Sequence, residues 1–183
     1  MKQWFRGFLV STFVVLLTAC GGGGGGTTAS GLKKTGQTTS YYPGDDGDLQ
    51  KGVDHNYSRD DAKEVVTDHV TGLMWQDDAT AASTQLTWQA AIDHCDALDT
   101  TANGGYSDWR LPTVGELENI VDYGRSNPAI SPLFQNTNPD NYWSSTTYAG
   151  DSDVAWYVNF RLGYVNAYYK DSSYYVRCVR AGE

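Results

Sequence analysis

The side chains with the widest chemical range in this chain are three cysteines, Cys20, Cys95 and Cys178, and three histidines, His55, His69 and His94. His94 and Cys95 are adjacent, which raises a thiolate–imidazole nucleophile. Neighbours in a helix point about 100° apart and do not face each other, so that arrangement is a poor one. No H-x-x-x-H, G-x-S-x-G, Walker A or Rossmann glycine pattern occurs. The acid pairs Asp77-Asp78 and Asp151, Asp153 flank apolar runs and read as solvated turns rather than general acid–base partners. Asp45, Asp46 and Asp48 could offer oxygens to Ca²⁺, but they lack the regular spacing and terminal Glu of an EF-hand loop. An acidic turn is the stronger reading there. No catalytic residue is assigned and no cofactor is expected.

Cys20 has a different context. Lys2 and Arg6 precede an apolar run from Gly7 to Leu17, and Leu17-Thr18-Ala19-Cys20 closes it. The three parts match a secretory signal, and the run is far short of the roughly 20 residues that span a bilayer. The segment resembles a bacterial lipobox, which implies cleavage before Cys20 and lipid attachment to it. Two or three acyl chains hold a soluble domain at a membrane because each buried CH₂ contributes roughly 0.8 kcal/mol. Gly21 after the cysteine resembles the sorting signal of outer-membrane lipoproteins. The expected organisation is a signal peptide over 1–19, a lipidated Cys and Gly/Ser/Thr-rich flexible spacer over 20–40, an acidic lead-in over 41–63 and a domain over 64–183.

Thirteen Lys and Arg oppose 22 Asp and Glu; without Lys2 and Arg6, 11 oppose 22, a charge of −11. That balance argues against nucleic acid and against an anionic lipid surface as partners. About 140 residues follow the spacer, enough for one domain with one core. Tyrosine and tryptophan are abundant, at 13 and 6. They suit pleated sheets, and a stacking surface for sugars is the sharper alternative. With Cys20 taken by lipid, two thiols remain in an exported domain and suggest one disulfide, Cys95 to Cys178.

The elements that would position these groups are legible. Glu64 to Val70 and Gly72 to Gln76 read as two short strands about a turn. Trp88, Ala91, Ile92, Cys95 and Leu98 fall on one helical face, after Thr87. Thr113 and Glu116 form a T-x-x-E capping box, with Val114, Leu117, Ile120 and Val121 on the buried face and Gly124 as the stop. Residues 125 to 140 read as a long loop. From Asn141 the period changes to 2, and strands over 142–147, 154–160, 164–169 and 174–180 predict an antiparallel meander. Cys178 shares a face with Val176, so both cysteines point inward. The expected class is α+β, two helices on a mostly antiparallel sheet.

Four motifs now stand in order: Thr71-Gly72-Leu73-Met74-Trp75 after Thr67-Asp68, Trp109-Arg110-Leu111-Pro112-Thr113 with Glu116-Leu117, Tyr142-Trp143-Ser144-Ser145, and Val176-Arg177-Cys178-Val179-Arg180. Together, over about residues 64 to 181, they resemble the Lcl C-terminal domain family, named after a collagen-like bacterial adhesin. Lys34-Thr35-Gly36-Gln37-Thr38 and Gly44-Asp45-Asp46-Gly47 look like the lead-in of such proteins. The resemblance implies a C-type lectin-like core, in a superfold shared with formylglycine-generating enzymes, and a staple from first helix to last strand where Cys95 and Cys178 stand. The calcium-site motifs of sugar-binding C-type lectins are missing; Asn138-Pro139-Asp140 is a partial echo on the wrong side of the Tyr-Trp-Ser-Ser strand. The oxidase relatives need a nearby thiol pair in the C-terminal half, where only Cys178 lies. Trp109, Arg110, Trp143, Ser144 and Asp140 are the ligand-binding candidates, although packing roles compete for each. The expectation is a non-enzymatic envelope binding module for an extracellular glycan or matrix protein. A periplasmic assembly lipoprotein with a protein partner is the alternative, and a formylglycine-type oxidase the third. A concave, aromatic-lined patch near residues 125–140 would mark the binding surface.

Overall fold

Alternating apolar residues and turn chemistry divide the chain into short strands with two helical interludes, and a computed structural model describes residues 31–101 and 103–182 of it. Cys20 and the leader lie outside the described residues. In order come α1 (Asp46–Leu49), β1 (Tyr57–Asp60), β2 (Val65–Asp68), β3 (Leu73–Gln76), α2 (Ala79–Ser83), β4 (Gln85–Leu86), α3 (Trp88–Thr101) and α4 (Val114–Glu118). Then follow β5 (Asn141–Thr147), β6 (Val154–Asn159), β7 (Val165–Tyr169), β8 (Tyr174–Tyr175) and β9 (Val179–Ala181). The class is α+β, but the strands form two sheets rather than one, in the orders β1-β2-β3-β9 and β4-β8-β5-β6-β7. Among the described residues no helix is long and apolar enough to cross a membrane.

Three expectations change. The last strand, expected unbroken over 174–180, is split: β8 lies parallel to β5, and β9 joins the other sheet against β3. The meander therefore stops at β7. Val176, Arg177, Cys178 and Val179 are all buried at 0% exposure, so this crossing segment has no solvated face and its alternation carried no signal about which sheet it joins. The second helix is also shorter. Its capping box forms as expected, but α4 ends at Glu118, because Val121 pairs with Ile130 and draws the chain out of the helix. Gly124 is no helix stop; a Cβ there would lie 2.2 Å from the Gly36 carbonyl oxygen, so it permits a close chain crossing. Finally, the spacer and lead-in contribute structure. β1 pairs along the whole of β2, and Lys33 buries its ammonium against Asp68.

Neighbouring residues enter different cores. Val66, Trp75, Leu117, Ile120, Phe134, Tyr142, Val158 and Phe160 form one cluster. Val65, Met74, Ala91, Cys95, Trp109, Trp143, Tyr157 and Cys178 form the other. Each fully buried large apolar side chain stabilises by roughly 1.5–3 kcal/mol. Cys95 and Cys178 are bonded, with Cα atoms 5.5 Å apart, tying α3 to the segment that carries the chain between sheets.

Candidate functional site

Most of the residue candidates hold the domain together. Trp109 is 1% exposed and donates its Nε1–H to the Asn103 carbonyl at 3.3 Å. Trp143 is fully buried and donates to the Leu86 carbonyl at 3.0 Å. The Ser144 hydroxyl donates to the Trp156 carbonyl at 2.7 Å, while the Ser144 carbonyl accepts from Trp88 Nε1 at 2.8 Å. Arg110 makes a two-pronged bond to Glu116, at 2.8 and 2.6 Å, at the start of α4. Burial opposes ionisation of Glu116, but the Arg110 bond and the Thr113 N–H and hydroxyl outweigh it and hold the carboxyl below its ordinary range.

The acidic turn is a helix cap. The Asp45 carboxylate accepts the N–H groups of Tyr41, Tyr42 and Asp48 at 2.7, 3.0 and 2.9 Å, Asp48 accepts Gly44 N–H at 2.9 Å, and Asp46 accepts the Thr35 hydroxyl. These oxygens face donors within the turn. The histidines stay apart: His55 meets the Lys34 carbonyl, His69 meets Ser58, and His94 Nε2 is buried without a hydrogen-bond partner among the described residues.

Asp77 overturns the expectation of a solvated turn. It is 0% exposed and bonds Arg177 at 2.7 Å, with Arg59 on its other oxygen. It also accepts the N–H groups of Gln135 and Asn136 at 2.8 and 3.2 Å, anchoring the long loop. Arg177, fully buried, donates further to the Asn136 carbonyl and the Thr137 hydroxyl, both at 2.7 Å, and lies over the Phe134 ring. The available signal was an arginine inside an apolar strand, Tyr175-Val176-Arg177-Cys178-Val179, which demands a buried acid.

Arg110 and Asp140 are both exposed, but Arg110 is engaged by Glu116, whereas Asp140 borders an open cavity. The cavity, of about 370 Å³, is also lined by Asn141, Asn159, Arg161, Leu162 and Tyr164, at the end of the loop where a concave patch was sought. A second cleft of about 390 Å³ runs along Arg125 to Phe134, without tyrosine or tryptophan. The Asp140 cavity opens onto a shelf of rings on one face of β5, β6 and β7. Register sets that face: Trp143 stands opposite Tyr157, Tyr157 opposite Asn166, and Ala155 opposite Tyr168. Gly163, at φ +85°, makes the turn that delivers Tyr164. Ring centroids run Trp143–Tyr174 4.5 Å, Tyr157–Tyr174 4.9 Å, Tyr168–Tyr174 6.1 Å and Tyr157–Tyr164 6.4 Å. Exposure rises along the shelf from 0% at Trp143 and 6% at Tyr157 to 44% at Tyr164 and 49% at Tyr168. α3 residues pack with Trp143 in the second core, while β7 forms the sheet's free edge. Burial first, then the neighbouring Tyr164 and Tyr174, push the Tyr157 hydroxyl up to about 12. The surface presents phenols, π faces, three amides, one carboxylate and one guanidinium. That set can stack and hydrogen-bond a ligand; among its side chains there is no activated nucleophile.

No curated protein matches the chain. A family model, the Lcl C-terminal domain, matches residues 64–180, which holds β2 to β8 and the start of β9, Cys95 and Cys178, Arg110, the Asp77–Arg177 pair and the whole tyrosine shelf. The chain belongs to the Lcl C-terminal domain family.

Proposed function

We propose that this protein is a lipid-anchored, non-enzymatic binding module of the bacterial cell envelope, held at the outer membrane through Cys20. Its ligand surface is the tyrosine shelf with the Asp140 cavity, and the ligand is an extracellular glycan or a matrix protein. One observation carries the reading: exposed Tyr164 and Tyr168 continue a buried ring network, and Tyr164 borders a polar cavity. Rings fixed from below lose little freedom on binding, so stacking on them is pre-organised. Asp140 and Arg161 supply directional polar contacts beside the apolar faces. The bonded state of Cys95 and Cys178 supports a binding role over an oxidase, because a thiol oxidase needs a free sulfur.

Titration of the purified protein against a glycan and matrix-protein panel, with and without Ca²⁺, tests this. Binding that is lost in a Tyr164→Ser/Tyr168→Ser variant is the expected result. Silence across the whole panel, or binding that the double variant retains in full, would count against it.

A further inference from the structure

The first described residues are built into the domain. Lys34 N–H donates to the Val53 carbonyl and Val53 N–H to the Leu32 carbonyl, both at 2.9 Å, and Tyr123 N–H donates to the Thr35 carbonyl at 2.7 Å. The Lys33 ammonium is buried, donating to Asp68, to the Tyr57 hydroxyl at 3.1 Å and to the Asn119 carbonyl at 3.3 Å. Releasing this segment would leave Asp68 as an unpaired buried charge. Glycine is required at the crossings: a Cβ on Gly36 would lie 2.1 Å from the Asp122 carboxylate, and one on Gly52 would lie 2.8 Å from the Leu32 carbonyl.

Residues 31–53 thus form a fixed lobe, and it carries the three most exposed large apolar side chains of the described residues, with Leu49 a further one below Leu162 and Tyr169. Leu32 is 86% exposed, Tyr41 82%, Tyr42 76% and Leu49 52%. The two tyrosines are presented rigidly, because the Asp45 carboxylate holds both their N–H groups. The acids of the lobe are engaged by local donors: Asp45 and Asp48 accept N–H groups of the turn and Asp46 accepts the Thr35 hydroxyl, while the exposed Asp54 just beyond the lobe pairs with Lys34.

We propose that this lobe is the membrane-facing side of the domain, with Leu32, Tyr41, Tyr42 and Leu49 resting in the headgroup layer of a zwitterionic phospholipid surface. The inference rests on the reading that Cys20 carries lipid. Twelve residue steps separate Cys20 from Leu32, and at no more than about 3.6 Å a step they reach at most about 43 Å. Whatever course those residues take, the lobe is the part of the domain nearest the lipid along the chain. A tether this short holds it at an effective concentration of order millimolar, so shallow contacts suffice. Tyrosine and leucine suit that depth, with rings and side chains in the apolar boundary and hydroxyls in the headgroups. The net charge of −11 selects a zwitterionic rather than an anionic surface.

The test uses the full mature lipoprotein in phosphatidylcholine vesicles that contain a diazirine-bearing phosphatidylcholine. After irradiation, adducts are mapped by peptide mass spectrometry, and the same spectra read the mass at Cys20. The expected result is a several-fold enrichment of adducts over residues 32–53, lost in a Leu32→Ser/Tyr41→Ser/Tyr42→Ser/Leu49→Ser variant that keeps its Cys20 lipid. A lipidated protein with adducts spread evenly, or gathered on the tyrosine shelf, overturns the inference and leaves the anchor reading intact. A Cys20 without lipid overturns both.

Discussion

Two places in the domain bring together an aspartate, an arginine and aromatic rings, and they do opposite things. At Asp77, Arg177, Phe134 and Tyr142 every group lies within the protein; Asp77 and Arg177 are both 0% exposed. At Asp140, Arg161, Tyr164 and Tyr168 all four side chains are exposed. The Asp77 carboxylate takes two guanidinium groups and two backbone N–H groups, whereas the Asp140 carboxylate, among the described residues, accepts the N–H of Asn141 alone. Composition is nearly the same in both. Saturation by internal partners separates a group that holds a fold from one free to hold a ligand.

That contrast can be broken most forcefully at the buried end. Asp77→Ala strands the Arg177 and Arg59 charges and is expected to destabilise the domain by about 3–5 kcal/mol, as read by urea unfolding. A loss under 1 kcal/mol would mean that the cluster is less enclosed than described. Next comes the staple beside it. Cys95→Ser/Cys178→Ser is expected to cost about 2–5 kcal/mol, since 83 residues separate the pair, and thermal denaturation with and without reductant measures it.

Glu116 lies between the extremes, half-buried and bonded to Arg110 and Thr113. Glu116→Ala removes the reciprocal half of the capping box and is expected to cost about 1 kcal/mol. Its pH dependence has a definite sign. The folded carboxyl titrates below its unfolded value of 4.5, so its contribution is fully present above that value and is lost as pH falls through the folded one. Stability curves of wild type and Glu116→Gln should therefore converge in acid and separate at neutral pH. At the open end, Tyr164→Ser/Tyr168→Ser should change stability by no more than about 0.5 kcal/mol while abolishing ligand capture. A large stability loss there would move the shelf into the same class as the Asp77 cluster.

Local chemistry was legible wherever neighbouring residues decide it. The helical face of Ala91 and Cys95, the Thr113–Glu116 box, the hairpin of β2 and β3 and the inward cysteines all follow from periods and caps. The disulfide followed from counting thiols. The long-range partners were not legible. Asp77 beside Asp78 looks like any acidic turn, and only Asp78 behaves so, capping α2. Trp109 and Trp143 stand in family motifs because they fill the core, whereas the open shelf draws on Tyr164 and Tyr168, which sit in no motif. Lys33 reads as spacer until Asp68, 35 residues on, receives it.

By itself the sequence determined the α+β class, the element types, the family and the inward direction of Cys95 and Cys178, because periodicity, capping and thiol number act over a few residues or on the whole count. Tertiary structure alone decided that the last strand divides between two sheets, that Asp77 is buried, and that exposed Tyr164 meets Asp140 at one cavity. Those outcomes depend on which distant surface reaches a group first and leaves its neighbour to water, and no local pattern encodes that competition.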